Sequence, residues 1–584
     1  MNLPKQIEKE IQVAFDLQKS KNYSAAEKIY EDLYKKFTKN STLLMLYGIL
    51  KIQTKDYENA INLLKMSLEC DKDNEITLCN LGIVFFNIKK FEESVEFLNR
   101  AILLNTNNPN YFYHLGNSLR KLKAFNQACN SYQNAINLKN DDIQSHFGLA
   151  YTYKEINQLN AALITFKKII AIERKNIEAL FEIGNILLDL KKFNAAIYYF
   201  DRLLKIDNSH VDALFMKGVC LNMLNKLYDA LNCYSVILSK ISIDIDTLIN
   251  RGLILKNLGF YNEAYSDFNS VLKIDRNNYG ALFNLSLLKL LEGNFSEGLK
   301  LYELRKELGL GRYKFSSKPT WLNNFSIENK IILIFSDQGL GDFIQCYRYI
   351  SLLKELKPRI ILLTPKPLTK IIQNQDPEID VIEEGQLIPA FDFECPIMSL
   401  PYAFKTDFES IPARVPYLKT DNKLNIQSCL KRNSVQKIGI VWRGSAENDN
   451  DARRSIPIKI LEPLFKEKFE FHILQKDLNL KERSFLKKFN NIIIHSNHLN
   501  DFYDTSLVIN EMNFIISVDT SVAHLAGAMN KKTFLLLSLS PSFWWLLNFK
   551  TSPWYPSFTI IRQIKFDDWQ SVIDDLIINY LRLR

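Results

Sequence analysis

The chain has 584 residues, and at ~150 residues per domain this length leaves room for about four domains. Hydrophobic residues make up 47% and charged residues 24%, with 19 glycines and 17 prolines, which excludes a disordered, collagen-like or proline-rich protein. The formal net charge of +9 is too small for a general nucleic-acid binder. Residues 401–500 hold 18 basic against 11 acidic residues, which indicates a local site for an anionic ligand.

Localisation signals are sparse. The N-terminal residues contain no apolar segment typical of a secretory signal. The most apolar stretch, 534–549, is interrupted by Pro541 and is too short to span a membrane. The eight cysteines form no CxxC pair and no zinc-like spacing, which predicts thiols in a soluble cytoplasmic protein. They are Cys70, Cys79, Cys129, Cys220, Cys233, Cys346, Cys395 and Cys429.

A repeat of 34 residues fills the first half of the chain. A small residue recurs once per unit, a second small residue follows it by 12 positions, and large apolar residues follow it by 9 and 16 positions. This spacing predicts helical hairpins in which small residues allow close packing and large ones fill the space between. The first small residue in the nine units is Ala14, Gly48, Gly82, Gly116, Ala150, Gly184, Gly218, Gly252 and Ser286.

The spacing resembles that of the tetratricopeptide repeat family over about residues 5–310, without the proline that usually ends the second helix. Two positions before the first small residue, three units carry Asn80, Asn250 and Asn284. They resemble part of the asparagine ladder with which nucleocytoplasmic O-GlcNAc transferases hold a peptide backbone, since an amide both donates and accepts hydrogen bonds. Only three of nine units fit, so an ordinary solvated inner face is the favoured interpretation and peptide binding the alternative.

After Tyr313 short apolar runs alternate with helical segments, which predicts an open parallel α/β sheet in two groups. The predicted organisation is a repeat solenoid over 1–310, a connector over 311–330, and two Rossmann-like halves over 331–430 and 431–584. The predicted strands are Ile331–Phe335, Ile360–Thr364, Ile379–Ile382, Ile438–Trp442, Phe471–Gln475, Ile492–His495, Phe514–Val518 and Thr533–Leu537.

A glycine-rich turn joins the first strand to a predicted helix over Phe343–Leu356. It contains Gly339, Gly341 and Asp342, and it does not match the dinucleotide-binding GxGxxG pattern because Ile344 stands at the third glycine position. The turn places a carboxylate at the mouth of a sheet. Asp342 either serves a reaction there or caps the helix, and the residues alone favour neither.

A second candidate site follows the predicted strand Phe514–Val518. Asp519, Thr520 and Ser521 open a helix rich in small residues, so unpaired backbone N–H groups and two hydroxyls converge there. Such a helix start is suited to a phosphate group. His524 lies one turn further, on the same side as Thr520.

A polar loop after the predicted strand Ile438–Trp442 carries three arginines. Arg443 precedes Gly444, and Arg453 and Arg454 follow an acidic stretch, so the loop could clamp a diphosphate. The acidic stretch, Glu447–Asp451, contains the DxD pattern of metal-dependent glycosyltransferases. A solvated loop is the favoured interpretation of that pattern, and no metal site is predicted.

Gly341-Asp342, Arg454-Ser-Ile-Pro457, Asp519-Thr-Ser-Val-Ala-His524-Leu-Ala and Ser552-Pro-Trp-Tyr-Pro556 occur here in order. Together they resemble bacterial tetratricopeptide proteins with a glycosyltransferase family 9, heptosyltransferase-like domain. The resemblance covers about 325–584 and implies a GT-B fold of two Rossmann-like halves. It also implies an enzyme that transfers a sugar from a nucleoside diphosphate sugar to a hydroxyl without a metal or other cofactor, with inversion.

The resemblance assigns a role to each candidate residue. Asp342 would be the catalytic base, Arg454 would lie near the donor phosphates where heptosyltransferases carry lysine, and Asp519, Thr520 and His524 would bind the donor. Ser521 stands where the family commonly has glycine. The first half, with about 100 residues, looks short for acceptor binding, so the repeats are expected to recognise a protein or peptide acceptor or partner. The alternatives are a non-catalytic scaffold that binds nucleotide, and a peripheral membrane enzyme acting on a lipid-linked saccharide.

An aromatic cluster near the C-terminus comprises Trp544, Trp545, Trp554 and Tyr555. These residues could stack on a nucleobase or close the cleft. Packing against a final helix over Asp567–Leu581 is the favoured interpretation.

Overall fold

The computed structural model describes residues 5–241, 243–311, 316–420, 435–445 and 451–582. They form two compact units, Met1–Cys220 and Leu221–Arg584. The described part of the first unit is helical throughout, and the second unit contains further helical repeats and two parallel sheets. The predicted fold class, an all-α repeat region followed by an α/β region with two Rossmann-like halves, is confirmed.

The described residues 5–302 contain eighteen repeat helices, which alternate as first and second members of nine pairs. They are α1 Lys5–Lys19, α2 Tyr23–Lys36, α3 Ser41–Gln53, α4 Tyr57–Cys70, α5 Glu75–Asn87, α6 Phe91–Leu104, α7 Pro109–Lys121, α8 Phe125–Leu138, α9 Ile143–Glu155, α10 Leu159–Ile172, α11 Ile177–Asp189, α12 Phe193–Leu204, α13 Val211–Met223, α14 Leu227–Lys240, α15 Ile245–Asn257, α16 Tyr261–Ile274, α17 Tyr279–Leu291 and α18 Phe295–Tyr302.

Local sequence explains where most first helices of the pairs begin. Asn40 caps α3, because its Oδ1 accepts a hydrogen bond from the backbone N–H of Leu43 at 2.8 Å. The same type of cap recurs before other first helices, at Asn74, Asp142, Asn176, Asp244 and Asn278. The polar residues between units are therefore helix starts and not merely spacers.

Packing within the pairs follows the predicted pattern of small and large residues. A Cβ atom at Gly48 would lie 2.8 Å from Leu64 Cγ, and one at Gly116 would lie 2.7 Å from the Tyr132 ring. Each large residue follows its glycine by 16 positions, as the repeat predicts. Gly82, Gly184 and Gly252 face Leu98, Phe200 and Phe268 in the same way.

Two parallel sheets follow the repeats. The first sheet has the order β3-β2-β1-β4 and the second has the order β10-β9-β8-β5-β6-β7. The strands are β1 Ile331–Phe335, β2 Arg359–Thr364, β3 Asp380–Glu383, β4 Phe393–Pro396, β5 Lys437–Val441, β6 Glu470–Ile473, β7 Ile492–Ile494, β8 Phe514–Val518, β9 Thr533–Leu537 and β10 Phe558–Arg562. All eight predicted strands are present, and β4 and β10 are additional.

The α-helices of this region lie between the strands and after the last one. They are α19 Leu340–Tyr347, α20 Tyr349–Glu355, α21 Lys366–Gln373, α22 Leu400–Ala403, α23 Asp451–Arg454, α24 Glu462–Phe465, α25 Leu480–Leu486, α26 Phe502–Glu511, α27 Ser521–Ala528 and α28 Trp569–Asp575. The single helix predicted over Phe343–Leu356 is wrong in detail, because α19 starts three residues earlier and gives way to α20 at Arg348.

One hydrophobic core joins the last repeat to both sheets. It contains Leu290 of α17, Ile332 of β1 and Trp544, all at most 2% exposed. Arg305, directly after α18, is completely buried, and its Nη2 donates to Asp337 Oδ2 at 2.9 Å. The predicted limit at residue 310 therefore does not separate two cores.

Two expectations about the chain's environment can be compared with the structure. Within the described ranges no helix is both long and apolar enough to cross a membrane. The described cysteines are thiols, with Cys70 exposed, Cys129 half-buried and the others buried. Cys429 lies outside the described residues.

Candidate functional site

Both sheets reverse their strand order at one point, and the predicted site residues lie there. In the second sheet the order reverses between β5 and β8, and in the first between β1 and β4. Ligands of open α/β sheets bind at the carboxyl ends of the strands at such a reversal. β5 leads into Arg443 and Gly444, β8 leads into Asp519, and β1 leads into the turn that contains Asp342.

Asp342 is the third residue of α19, and two donors hold its carboxylate. Trp544 Nε1 donates to Oδ1 at 2.8 Å, and the backbone N–H of Gly339, which occupies the N-cap position, also donates to this carboxylate. Burial raises the pKa of Asp342 to about 6; the Trp544 hydrogen bond opposes this rise, and the negative charge of Asp519 adds to it. Asp342 thus closes the first turn of the helix and is also a carboxylate with a pKa suited to accepting a proton.

The start of α27 uses some of the predicted ligand groups for its own structure. Thr520 is the N-cap: its hydroxyl accepts from the Ala523 N–H at 3.4 Å and lies 3.0 Å from the Ser517 hydroxyl. Asp519 is 9% exposed, and burial raises its pKa, an effect that Trp545 and Arg454 partly oppose. Ser521, the first residue of α27, is half-buried.

The helix starts α19 and α27, one from each sheet, are packed against each other. A Cβ atom at Gly341 would lie 2.9 Å from His524 Cδ2 and 3.4 Å from Ser521 Cα, so only glycine allows this approach. The imidazole of His524 is 3% exposed and stacks on Trp545 with 4.8 Å between ring centroids. The structure therefore brings Asp342, Ser521 and His524 together at the junction of the two halves.

The three predicted arginines have different surroundings. Arg443 forms a bidentate pair with Glu482, at 3.0 Å from Nε and 3.1 Å from Nη2, so its charge is already neutralised. Arg453 Nη2 donates to Asn222 Oδ1 of the repeat helix α13 at 2.7 Å. Only Arg454 has a charge that influences the pKa of both Asp519 and His524, which places it beside the helix start.

Gly444 and Asp451 shape the loop around Arg454. The Arg454 guanidinium occupies the space where a Cβ atom at residue 444 would lie. Asp451 Oδ1 accepts from the Gly444 N–H at 2.8 Å and forms an ion pair with Arg454, whose Nε donates to it at 3.4 Å, so Asp451 anchors both the loop and Arg454. The rest of the predicted acidic stretch, including Asp449, lies outside the described residues. Among the residues that the structure describes, no group of three or more His, Cys, Asp or Glu side chains could hold a metal ion.

The C-terminal aromatic cluster packs differently from the favoured prediction. Trp544, Trp545, Trp554 and Tyr555 belong to the core that contains β1 and the last repeat, whereas α28 belongs to the other core of the second sheet. Trp544 and Trp545 are adjacent in sequence and lie beside Asp342 and His524 respectively. The sequence indicated the cluster but not the contacts of Trp544 with Asp342 and of Trp545 with His524. Two adjacent tryptophans shortly after a strand could have pointed to them.

The three asparagines of the proposed ladder each donate a hydrogen bond within their own helix. The Nδ2 of Asn80, Asn250 and Asn284 donates to the carbonyl four residues earlier, at 2.8, 2.9 and 2.9 Å. Asn284 is also 8% exposed. One donated hydrogen bond per amide fits either interpretation, so a solvated inner face and peptide binding both stay predictions.

Family models match four parts of the repeat region. Two tetratricopeptide repeat models match residues 116–157 and 245–278. A model of the coatomer epsilon subunit matches 16–133, and a model of subunit 3 of the anaphase-promoting complex, or cyclosome, matches 155–237. The helical pairs in 116–157 and 245–278 therefore match tetratricopeptide repeats. A search of curated proteins gives no match.

Solved structures that resemble the chain cover only part of it. The MamA protein is 25% identical, with 29% of this chain and 92% of that chain covered and a TM-score of 0.28. YrrB, described as a TPR protein with an unusual peptide-binding site, is 19% identical, with 32% and 95% covered and a TM-score of 0.29. The C-terminal part of a TPR repeat-containing protein from Cytophaga hutchinsonii is 14% identical, with 41% and 98% covered and a TM-score of 0.38.

Proposed function

We propose that this tetratricopeptide-repeat chain is a glycosyltransferase that moves a sugar from a nucleoside diphosphate sugar to an acceptor hydroxyl. The observation that carries the proposal is the position of Asp342. Its carboxylate lies at the carboxyl edge of one Rossmann-like sheet, next to a helix start at the carboxyl edge of the other. A base on one half and a phosphate-binding helix start on the other are what sugar transfer requires.

Asp342 would act as the general base. With a pKa of about 6 it is mostly ionised at neutral pH and accepts the proton of the acceptor hydroxyl as that oxygen attacks the anomeric carbon. The new carbon–oxygen bond forms as the bond from the anomeric carbon to the diphosphate oxygen breaks. One direct displacement inverts the configuration of that carbon.

Arg454 and the start of α27 would stabilise the leaving nucleoside diphosphate. Negative charge accumulates on the diphosphate as the bond breaks, and a positive side chain with backbone N–H groups already in place stabilises it without reorganising. Arg443 and Arg453 would act indirectly, since Arg443 is paired with Glu482 and Arg453 is bonded to Asn222. Both would hold the loop that presents Arg454.

The repeats would recognise the acceptor, a protein or peptide. Tetratricopeptide arrays present extended surfaces suited to polypeptide partners. The first sheet has four strands against six in the second, which leaves less of the α/β region for acceptor binding. A chain that starts at residue 209, before α13, should hydrolyse the donor at the full-length rate but transfer sugar poorly to a protein acceptor. Equal transfer by both chains would contradict this role.

Replacement of the base tests the enzymatic proposal. The protein is screened against nucleoside diphosphate sugars for thermal stabilisation and for release of the nucleoside diphosphate. Asp342→Asn should leave the stabilisation intact and lower turnover by about 10²–10⁴-fold, the usual contribution of a general base.

The matched control is Asp380→Asn. Asp380 lies on β3 of the same half and pairs at the surface with Arg359 at 2.8 Å. This variant should keep full turnover. Stabilisation without turnover in the parent protein would contradict the enzymatic proposal and indicate a nucleotide-binding scaffold.

A further inference from the structure

The imidazole of His524 is connected to a chain of buried hydroxyl groups. His524 Nδ1 lies 3.1 Å from the hydroxyl oxygen of Tyr555, and that oxygen lies 3.1 Å from the hydroxyl oxygen of Tyr417. Tyr417 in turn lies 3.0 Å from the backbone carbonyl oxygen of Ile344, in α19. This series of hydrogen bonds therefore connects α27 to α19 through Tyr555, near the C-terminus, and Tyr417.

The carbonyl group of Ile344, at the end of this series, determines the direction of every hydrogen bond in it. A carbonyl oxygen can only accept, so the single hydroxyl proton of Tyr417 is donated to Ile344. Arg348 Nη2 also donates to the Tyr417 oxygen, at 3.2 Å. Tyr555 must then donate its own proton to Tyr417, and its oxygen is left to accept from His524.

This direction determines which ring nitrogen of His524 carries the proton. Nδ1 is the donor to Tyr555, so Nε2 carries the lone pair of the neutral ring. Burial, with the positive charges of Arg348 and Arg454, lowers the pKa of His524 to about 3. The ring thus stays neutral at neutral pH.

Nε2 faces the turn that contains Asp342. A Cβ atom at Gly341 would lie 3.5 Å from Nε2, and no residue in the described ranges forms a hydrogen bond with this nitrogen. His524 is only 3% exposed. Its Nε2 is therefore an acceptor without a protein partner in the described part of the chain, and it is directed at the junction of the two halves.

We infer that Tyr417 and Tyr555 position His524 as the Nδ1–H tautomer, and that its Nε2 accepts a hydrogen bond from a hydroxyl group of the nucleotide sugar and does not bind its phosphates. The second part rests on the proposed function, whereas the first does not. A phosphate oxygen only accepts, so it cannot pair with a bare nitrogen, whereas a hydroxyl donates. His524 would therefore contribute to the choice of sugar or ribose, and Arg454 to the diphosphate.

Nitrogen-15 NMR of the full-length protein, labelled at histidine, tests the tautomer without any substrate. Loss of signals in His524→Gln assigns the two ring nitrogens. The parent protein should show a protonated Nδ1 and an unprotonated Nε2. A protonated Nε2 in the parent would overturn the inference, whatever the outcome of the donor screen.

Tyr417→Phe tests whether the hydroxyl groups of Tyr417 and Tyr555 set the tautomer of His524. Without the Tyr417 oxygen, the Tyr555 proton turns towards His524 Nδ1, and the ring proton should move to Nε2. The control is Tyr349→Phe, because the Tyr349 hydroxyl is buried in the same half but pairs with Thr406 at 2.7 Å. The control should keep the parent tautomer. An unchanged tautomer in Tyr417→Phe would overturn the positioning role.

Kinetics with the nucleotide sugar found in the screen test the partner of Nε2. In Tyr417→Phe, Nε2–H becomes a donor, and a substrate hydroxyl can turn to accept from it, so KM should stay close to that of Tyr349→Phe. A phosphate oxygen at Nε2 would instead gain a hydrogen bond of about 1.4 kcal/mol, so a KM about 10-fold lower in Tyr417→Phe would overturn the assignment of a substrate hydroxyl. Absence of turnover with every nucleotide sugar would refute the proposed function but leave the spectroscopic result standing.

Discussion

Trp544 and Asp342 show how one indole can set the working pH of a carboxylate. Burial favours the neutral form of Asp342 and raises its pKa to about 6, while the hydrogen bond from Trp544 Nε1 favours the charged form. A base must be ionised to accept a proton, so transferase activity should rise with pH through about 6. The acidic limb of the pH profile thus reports on this hydrogen bond.

Trp544→Phe should move that limb to higher pH. The substitution removes the donor to Oδ1, so the charged form of Asp342 loses stabilisation and its pKa rises further. The measurement is kcat/KM for nucleotide-sugar turnover as a function of pH. Trp554→Phe is the control, since it changes another buried tryptophan of the same cluster, one with no hydrogen bond to Asp342. If the acidic limb of the pH profile lay at the same pH in both variants, the role assigned to Trp544 would be contradicted.

Gly444 and Arg454 make a second prediction at this scale. A Cβ atom at residue 444 would overlap the end of the Arg454 side chain and would lie 2.6 Å from Asp451 Oδ1, which anchors the loop. Gly444→Ala should therefore displace both side chains, so that KM for the donor rises several-fold and the melting temperature falls slightly. An unchanged KM would show that the position of Arg454 does not matter for donor binding.

Individual residues also mark the limit of sequence reasoning. The positions of Asp342 and Asp519 close to strand ends were predictable, because the apolar runs of β1 and β8 end shortly before them, whereas their roles stay predictions. The pairing of Arg443 with Glu482 was not predictable, since the two residues are 39 positions apart and nothing local connects them. A loop arginine looks the same in sequence whether its partner is a phosphate or a carboxylate.

At the scale of elements, regular patterns were predictable and interrupted ones were not. The strands β1, β8 and β9 are short runs in which at least four of the five residues are apolar, and they lie where the sequence predicted them. β4 was missed because Glu394 interrupts its apolar pattern; this glutamate is fully buried and accepts from the Ser316 hydroxyl at 3.0 Å. The residues around Glu394 do not indicate that Ser316, far away in sequence, donates a hydrogen bond to its buried carboxylate.

The repeat glycines lead to a prediction about helix pairs. Gly184→Ala places a methyl group against the Phe200 ring, which is completely buried, and overpacking of this kind costs about 1–3 kcal/mol. Gly280→Ala is the control, because its methyl group would lie 3.3 Å from the flexible Asn278 side chain and 3.5 Å from Ile249 Cδ1, and the helix gains propensity. Thermal unfolding should show a lower melting temperature only for Gly184→Ala. A melting temperature as high as that of the control would contradict the packing role.

At the scale of the whole molecule, the boundary of the second unit falls within the repeats, at Leu221, and not at the end of them. Arg305 lies in the turn that follows the last repeat helix, α18, and it is the buried partner of Asp337 after β1. Removing one partner of a buried pair leaves a charge without compensation and costs about 3–5 kcal/mol. The α/β region therefore depends on the last repeats for its own stability.

Two truncations test this dependence. A chain that starts at residue 209 keeps α13 whole and retains Arg305, so it should unfold in one cooperative transition when followed by circular dichroism. A chain that starts at residue 311 leaves Asp337 unpaired and exposes the core around Ile332, so it should be insoluble or fail to unfold cooperatively. Cooperative unfolding of the shorter chain would show that the α/β region folds alone.

The constant 34-residue register has a consequence for how such a chain could change its length. Each early pair is specified by its own small residue, its own large residue 16 positions later and, in most units, its own cap, as Gly82 and Leu98 illustrate. Gain or loss of a whole unit among these pairs would preserve every local contact, whereas the same event after Leu221 would break the shared core. Variation in repeat number is therefore expected on the N-terminal side, so the surface offered to a partner could lengthen or shorten while the chemistry of the α/β region stayed the same.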